Sequence, residues 1–327
     1  MAASIGWLSR PTSCWGDESR DRACEVTIQH STAGRGGDER QHGAVVTGFR
    51  SPRFEMEWSR RAIINVVRVL SAHAESLTLV GAHAVLMRTT ELAVPQMATG
   101  DGDLGVTPGL VSDIPSIESV LIEAGYVHRT TARPGLWGRE SFAEADGRRS
   151  YREKIDLLAP HGLSGTVSRN KRGVPLLQGS HGKLAVGNVL GLELAAFNRS
   201  VMTVTDFADP RLSAEIHVAG VPALLLAKGS KVGERLSETR KGPIRDKDFG
   251  DLWRLMAVAD TAETARTVAE FLDHDQIGAS VRQSITWTRS VLHDPVSRER
   301  AKSAFELFVD PADVDRVFEL WHEALPA

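Results

Sequence analysis

The apolar residues of this chain change period near Pro222, and that change limits the folds open to it. Before Pro222, short apolar runs punctuated by Gly and Pro alternate with short helical stretches. After it, apolar spacing is helical over 223–236, 246–259, 262–272 and 311–325. The pattern predicts an α/β (α+β) unit with a mixed sheet over 56–218, then a helical unit over 219–327 that completes a cleft. A chain of 327 residues is long enough for two such units. Residues 1–55 hold glycine-rich stretches such as Ala33-Gly34-Arg35-Gly36-Gly37-Asp38 and no sustained apolar period, so a flexible extension is expected there.

Locally, Ala62, Ile63, Val66, Val67 and Leu70 recur on one helical face, in a helix starting near Glu57. Residues 77–80 read as a short buried strand, and Gly81 opens a second helix. Leu104-Gly105-Val106 ends a further strand. Ser112 or Asp113 is placed to cap the next helix, with Pro115 in its first turn and Gly125 at its C-terminal end. Strands are expected over 126–131, 151–158, 201–204 and 214–218, and a loop over 160–185.

The net charge of −3 gives no global attraction to nucleic acid, so any anion site must be local. The two cysteines, Cys14 and Cys24, match no zinc or redox spacing. No apolar run approaches a membrane span, and the first residues lack a signal-peptide core, which points to the cytoplasm. His73 and His83 have no supporting ligand spacing for zinc. Ser164, Ser168 and Ser180 lack the Gly-x-Ser-x-Gly context of a hydrolase nucleophile. Trp253, Trp287 and Trp321 fall on helices as core or interface anchors.

The chemistry concentrates in Thr99-Gly100-Asp101-Gly102-Asp103-Leu104. Two acids one residue apart on a strand project from the same face and can hold divalent cations. Asp101-Gly102 is also a turn-forming pair, so the triplet alone is equally read as a solvated turn. Asp156 is a lone acid in the apolar run Ile155-Asp156-Leu157-Leu158, and a buried acid needs a cation partner. It is the candidate third ligand. Gly81 is the candidate tight turn whose backbone approaches phosphate.

This ordered set of Gly-turn, helix, Asp-x-Asp strand, helix and strand Asp resembles the nucleotidyltransferase superfamily, the polymerase-beta-like fold. Within it, the chain is most similar to the AbiEii-like and MenT-type toxin nucleotidyltransferases, on Arg88, Thr99, Asp101 and Asp103 and on the segment Arg245-Asp246-Lys247-Asp248-Phe249-Gly250-Asp251-Leu252. The resemblance covers about residues 60 to 260 and implies Mg²⁺ on Asp101, Asp103 and Asp156, with an NTP as co-substrate. It implies nucleotide-side roles for Gly81, Ala82, Arg88, Thr99 and Lys231. It places a helical lysine, here Lys228, on the triphosphate, with Asp248 as a supporting acid.

Lys228, Lys231 and Arg235 share one helical face, and Lys228 interrupts the apolar run 224–227, which favours a place in the cleft over a solvated face. Asp251 reads equally as a structural helix residue. The implied activity is transfer of a nucleoside monophosphate, as a toxin acting on tRNA 3′ ends and restrained by a cognate antitoxin. A small-molecule acceptor of aminoglycoside type is the alternative enzyme. A catalytically inactive interaction protein is the alternative class, favoured by the Gly81-Ala82 turn, which lacks the family's second small polar residue.

Overall fold

The computed structural model describes residues 52–143, 147, 149–163, 180–237, 245–305 and 308–326. Residues 1–51 of the expected extension lie outside this set, as do Cys14, Cys24, Ser164 and Ser168. The first helix, α1 (Pro52–Val69), begins ahead of the expected boundary.

The helix is followed by β1 (Leu77–Val80), α2 (Gly81–Arg88), β2 (Gly102–Val106), α3 (Ile117–Glu123), β3 (Val127–His128), β4 (Leu136–Ala143), β5 (Arg149–Pro160), β6 (Gly187–Val189), β7 (Arg199–Thr205) and β8 (Ser213–Ala219). The strands form one mixed sheet in the order β3-β4-β5-β2-β1-β8-β7, with β6 also paired to β5. The β1–β2 pair is antiparallel, whereas β1–β8 and β2–β5 are parallel. Helices then run almost unbroken: α4 (Val221–Leu236), α5 (Asp246–Val258), α6 (Thr261–Glu270), α7 (Gly278–His293), α8 (Pro295–Ala304) and α9 (Pro311–Ala324). Among the described residues, no helix is long and apolar enough to cross a membrane.

Two apolar cores support this arrangement. The first joins Ile63, Val66 and Leu70 of α1 to Leu79, Leu104, Ile155, Leu157 and Val218 of the sheet. The second lies among the C-terminal helices around Phe249, Trp253, Phe318 and Trp321, so two of the three tryptophans are core anchors. Helix α4 serves both: Ala223, Leu224 and Leu226 enter the first core, and Leu225 and Val232 the second.

Several local expectations change. Ser116, not Ser112 or Asp113, caps α3, its hydroxyl accepting from the Ser119 N–H, so Pro115 precedes the cap. Gly125 follows the helix with φ +84°, as a C-terminal glycine should. The strand expected over 126–131 shrinks to β3, because the chain turns back through Pro134 and Gly135 into β4. Strand β4 had no apolar alternation to announce it, since Arg139-Glu140-Ser141 interrupts it. The sequence Pro295-Val-Ser-Arg-Glu-Arg hid α8, and the β-branched and polar residues of α7 hid its helical stripe.

Candidate metal and phosphate site

The register of three neighbouring strands builds the site. Val80 at the end of β1 lies opposite Asp103 of β2, and Asp103 lies beside Asp156 of β5. Gly102 turns toward α1, where an added Cβ would sit 2.5 Å from Ile63 Cγ1. Alternation therefore sends Asp103 to the opposite face. Asp101 stands one residue ahead of β2 rather than within it, yet reaches the same cluster. Carboxylate oxygens of Asp101, Asp103 and Asp156 lie within 4.8 Å of one another, and this triad can hold a metal ion. It is the only such group of His, Cys, Asp or Glu among the described residues, so no zinc-type site forms there around His73 or His83.

Gly81 closes one side of the cluster. Its φ of +67° is left-handed, and an ideal Cβ would fall 2.0 Å from Asp103 Oδ2, so the turn backbone lies directly against that carboxylate. The Ala82 carbonyl accepts from Gln96 Nε2 at 2.8 Å, and the same amide donates to Asp251 Oδ1 at 3.0 Å. The loop carrying Gln96 is held in turn by buried Arg254, which donates to the Thr89 hydroxyl and carbonyl and to the Val94 carbonyl.

Each acid has a different electrostatic setting. Burial pushes the Asp103 carboxyl up to about 8, and repulsion from Asp101 and Asp156 adds to this. Burial also raises Asp156, to about 6, against the pull of Arg129, whose Nη2 donates to Asp156 Oδ1. Burial acts upward on Asp101 too, but Lys247 and the Thr99 hydroxyl outweigh it and hold this acid below its ordinary value. Thr99 Oγ1 donates to Asp101 Oδ1 at 2.9 Å and accepts from Lys247 Nζ at 3.3 Å.

The facing wall comes from α4 and α5. Lys228 is 5% exposed and donates to Asp251 at 2.5 Å and to Asp248 at 3.3 Å. Asp248 also accepts from Lys231 at 2.8 Å and from Arg235 at 3.2 Å. Burial alone would lower Lys228, yet Asp251 and Asp248 hold it above its ordinary value. Lys231 is lowered by burial and by Lys228 beside it. The charges of both lysines reach Asp103. Asp248 itself is held below its ordinary value, because its three cationic partners outweigh burial.

The structure thus brings Gly81, Ala82, Thr99, Asp101, Asp103, Asp156, Lys228, Lys231 and Asp248 into one region. Arg88 goes elsewhere. Its Nε donates to the Ala219 carbonyl at 2.9 Å, and its Nη2 to the Val218 carbonyl at 2.6 Å and Ser200 Oγ at 2.7 Å. These bonds pin α2 to the β7–β8 pair and occupy donors that the expected nucleotide-side role of Arg88 would use. His83 is 1% exposed, shares a hydrogen bond of 2.7 Å with Ser59 Oγ, and burial pushes it down to about 3.

Sequence reasoning missed Arg129 and Gln96, placed Lys247 only within a segment bordering the site, and left Asp251 open between a site role and a structural one. Asp251 had a visible signal, since it lies three residues beyond Asp248 on the same helical face. Arg129 and Gln96 had none. No known family model matches the chain, and no curated protein matches it.

Proposed function

We propose that this protein is a nucleotidyltransferase that moves a nucleoside monophosphate from an NTP to an acceptor hydroxyl, with Mg²⁺ held by Asp101, Asp103 and Asp156. The observation that carries this reading is the convergence of those three carboxylates beside the left-handed turn at Gly81. The donor set fits the ion: all three ligands offer hard carboxylate oxygens gathered within reach of one another. When bound, Mg²⁺ supplies neutralisation of phosphate charge at the reacting centre.

The chain's own groups do the rest. The Gly81-Ala82 backbone opens α2, where N–H groups without helical partners donate to phosphate oxygens. The Lys231 side chain is 42% exposed and lies beside the cluster, so it offers its charge to the triphosphate. Lys228 has two of its three donors committed to Asp251 and Asp248; it fixes the wall and leaves one donor for a phosphate oxygen. Asp248 and Asp251 hold both lysines in position. The acceptor hydroxyl oxygen forms its bond to the α-phosphorus and gives up its proton to solvent, the α–β bridge breaks, and pyrophosphate leaves.

The acceptor to test first is the 3′ end of tRNA, as for a toxin restrained by an antitoxin; an aminoglycoside is the second. The other reading is a non-catalytic interaction protein, favoured by Arg129 and Lys247 standing on Asp156 and beside Asp101 as built-in counter-ions. Incubation with Mg²⁺, each α-labelled NTP, and total tRNA or an aminoglycoside separates these readings. Label on an acceptor with wild type, and none with Asp101→Ala, Asp103→Ala, is the expected result. No transfer from any NTP to any acceptor favours the non-catalytic reading.

A further inference from the structure

Arg129 follows β3 directly. Its backbone N–H donates to the Leu136 carbonyl at 2.9 Å, and Leu136 is the register partner of Asp156. The backbone therefore delivers this arginine to the third carboxylate. Its guanidinium makes a single contact there, from Nη2 to Asp156 Oδ1. Its Nε is buried and has no hydrogen-bond partner. A guanidinium is shaped for two parallel bonds to one carboxylate or phosphate, and a buried N–H without an acceptor is costly. Arg129 is thus held in place by charge but poorly satisfied by geometry. Arg133, in the same β3–β4 turn, adds a second positive charge near Asp156.

We propose that Arg129 is a displaceable counter-ion on Asp156 and becomes a phosphate-binding residue once a divalent cation enters the triad. This rests on the nucleotidyl-transfer reading and deepens it. A divalent ion on Asp156 removes the attraction that holds the guanidinium and repels it at short range. The nearest new anion is the triphosphate that enters with the metal, which offers the two-pronged acceptor that Asp156 does not. Arg129 reaches it by side-chain rotation, with its backbone still paired to β4. Metal entry and triphosphate binding are then coupled through one residue.

The test is calorimetric titration of two probes, Mn²⁺ alone and inorganic triphosphate in excess Mg²⁺, into wild type, Arg129→Gln and Arg129→Lys. Removing a competing cation should tighten Mn²⁺ binding to Arg129→Gln by about tenfold, while loss of its phosphate bonds should weaken triphosphate binding by about tenfold. Arg129→Lys keeps the charge but not the fork, so its Mn²⁺ affinity should match wild type while triphosphate binding falls. Arg129→Gln with unchanged Mn²⁺ affinity, or either variant with undiminished triphosphate affinity, overturns the proposal and leaves the nucleotidyl-transfer reading intact. If Arg129→Gln does not fold, the Arg129→Lys arm decides. Wild type that binds neither probe overturns both.

Discussion

Gly81 carries the tightest constraint of any residue in the site. Replacing it with Ala forces a side chain into left-handed backbone, which costs about 1–2 kcal/mol, and drives a methyl group into Asp103. The expected outcome for Gly81→Ala is a folded protein with a modest loss of thermal stability and no measurable Mn²⁺ binding. Near wild-type binding would show that the turn does not border the metal position. Asp103 sets the pH dependence. Its carboxyl in the folded state sits at about 8, well above an unfolded aspartate. The folded chain therefore holds this proton more tightly than the unfolded chain, a contribution to stability that is full in acid and lost as pH rises toward about 8. A metal ion must displace that proton, so binding at neutral pH should release protons and tighten as pH rises to that value. Calorimetry in buffers of different ionisation enthalpy reads this directly; a pH-independent affinity contradicts it. Asp103→Asn should abolish binding and raise the melting temperature of the metal-free protein at pH 8. Asp156 was legible in the sequence because a charge inside an apolar strand has few explanations, whereas Asp101 and Asp103 were singled out by their one-residue spacing. Arg129 and Gln96 were not, because their partners are defined only once β3, β4 and α5 come together.

Helices α4 and α5 act as one clamp through a buried network of Lys228, Asp248 and Asp251. Removing the lysine leaves Asp251 buried without its cation, while Asp248 keeps Lys231 and Arg235, so Lys228→Ala should destabilise the protein by about 3–5 kcal/mol, read by denaturant unfolding. Lys228→Ala, Asp251→Ala should lose less than the sum of the single changes, because one unpaired charge is removed with its partner. Additive losses would mean that the pair is not coupled. Strong apolar periods announced α4, α5 and α9. Strand β4 and helices α7 and α8 were hidden, since their sequences are rich in charged or polar residues and their burial is supplied by neighbours. The sequence placed Asp248 with Lys228 but left the closer partner, Asp251, open between a site role and a structural one; only the packing of α5 on α4 distinguishes them.

Across the whole molecule, α4 joins the sheet to the C-terminal helices. Ala223, Leu224 and Leu226 are nearly inaccessible within the sheet's core, while Leu225 is buried in the helical one. A fragment of residues 52–220 should therefore lack a cooperative thermal transition, although hydrophobic period alone drew a boundary there. A sharp transition in that fragment would show that the two layers are independent. The clamp's lysines reach the carboxylates only because both layers share this helix, so folding and site assembly are linked. The proposed reaction at this shared site is transfer of the α-phosphoryl group with its nucleoside. The most direct measurement supplies the protein, Mg²⁺ and an acceptor with the same NTP labelled at either the α or the γ position. The α-label should move to the acceptor and the γ-label should leave as pyrophosphate, with both lost in Asp101→Ala, Asp103→Ala. A γ-label on the acceptor would contradict it, as would transfer that survives loss of both aspartates.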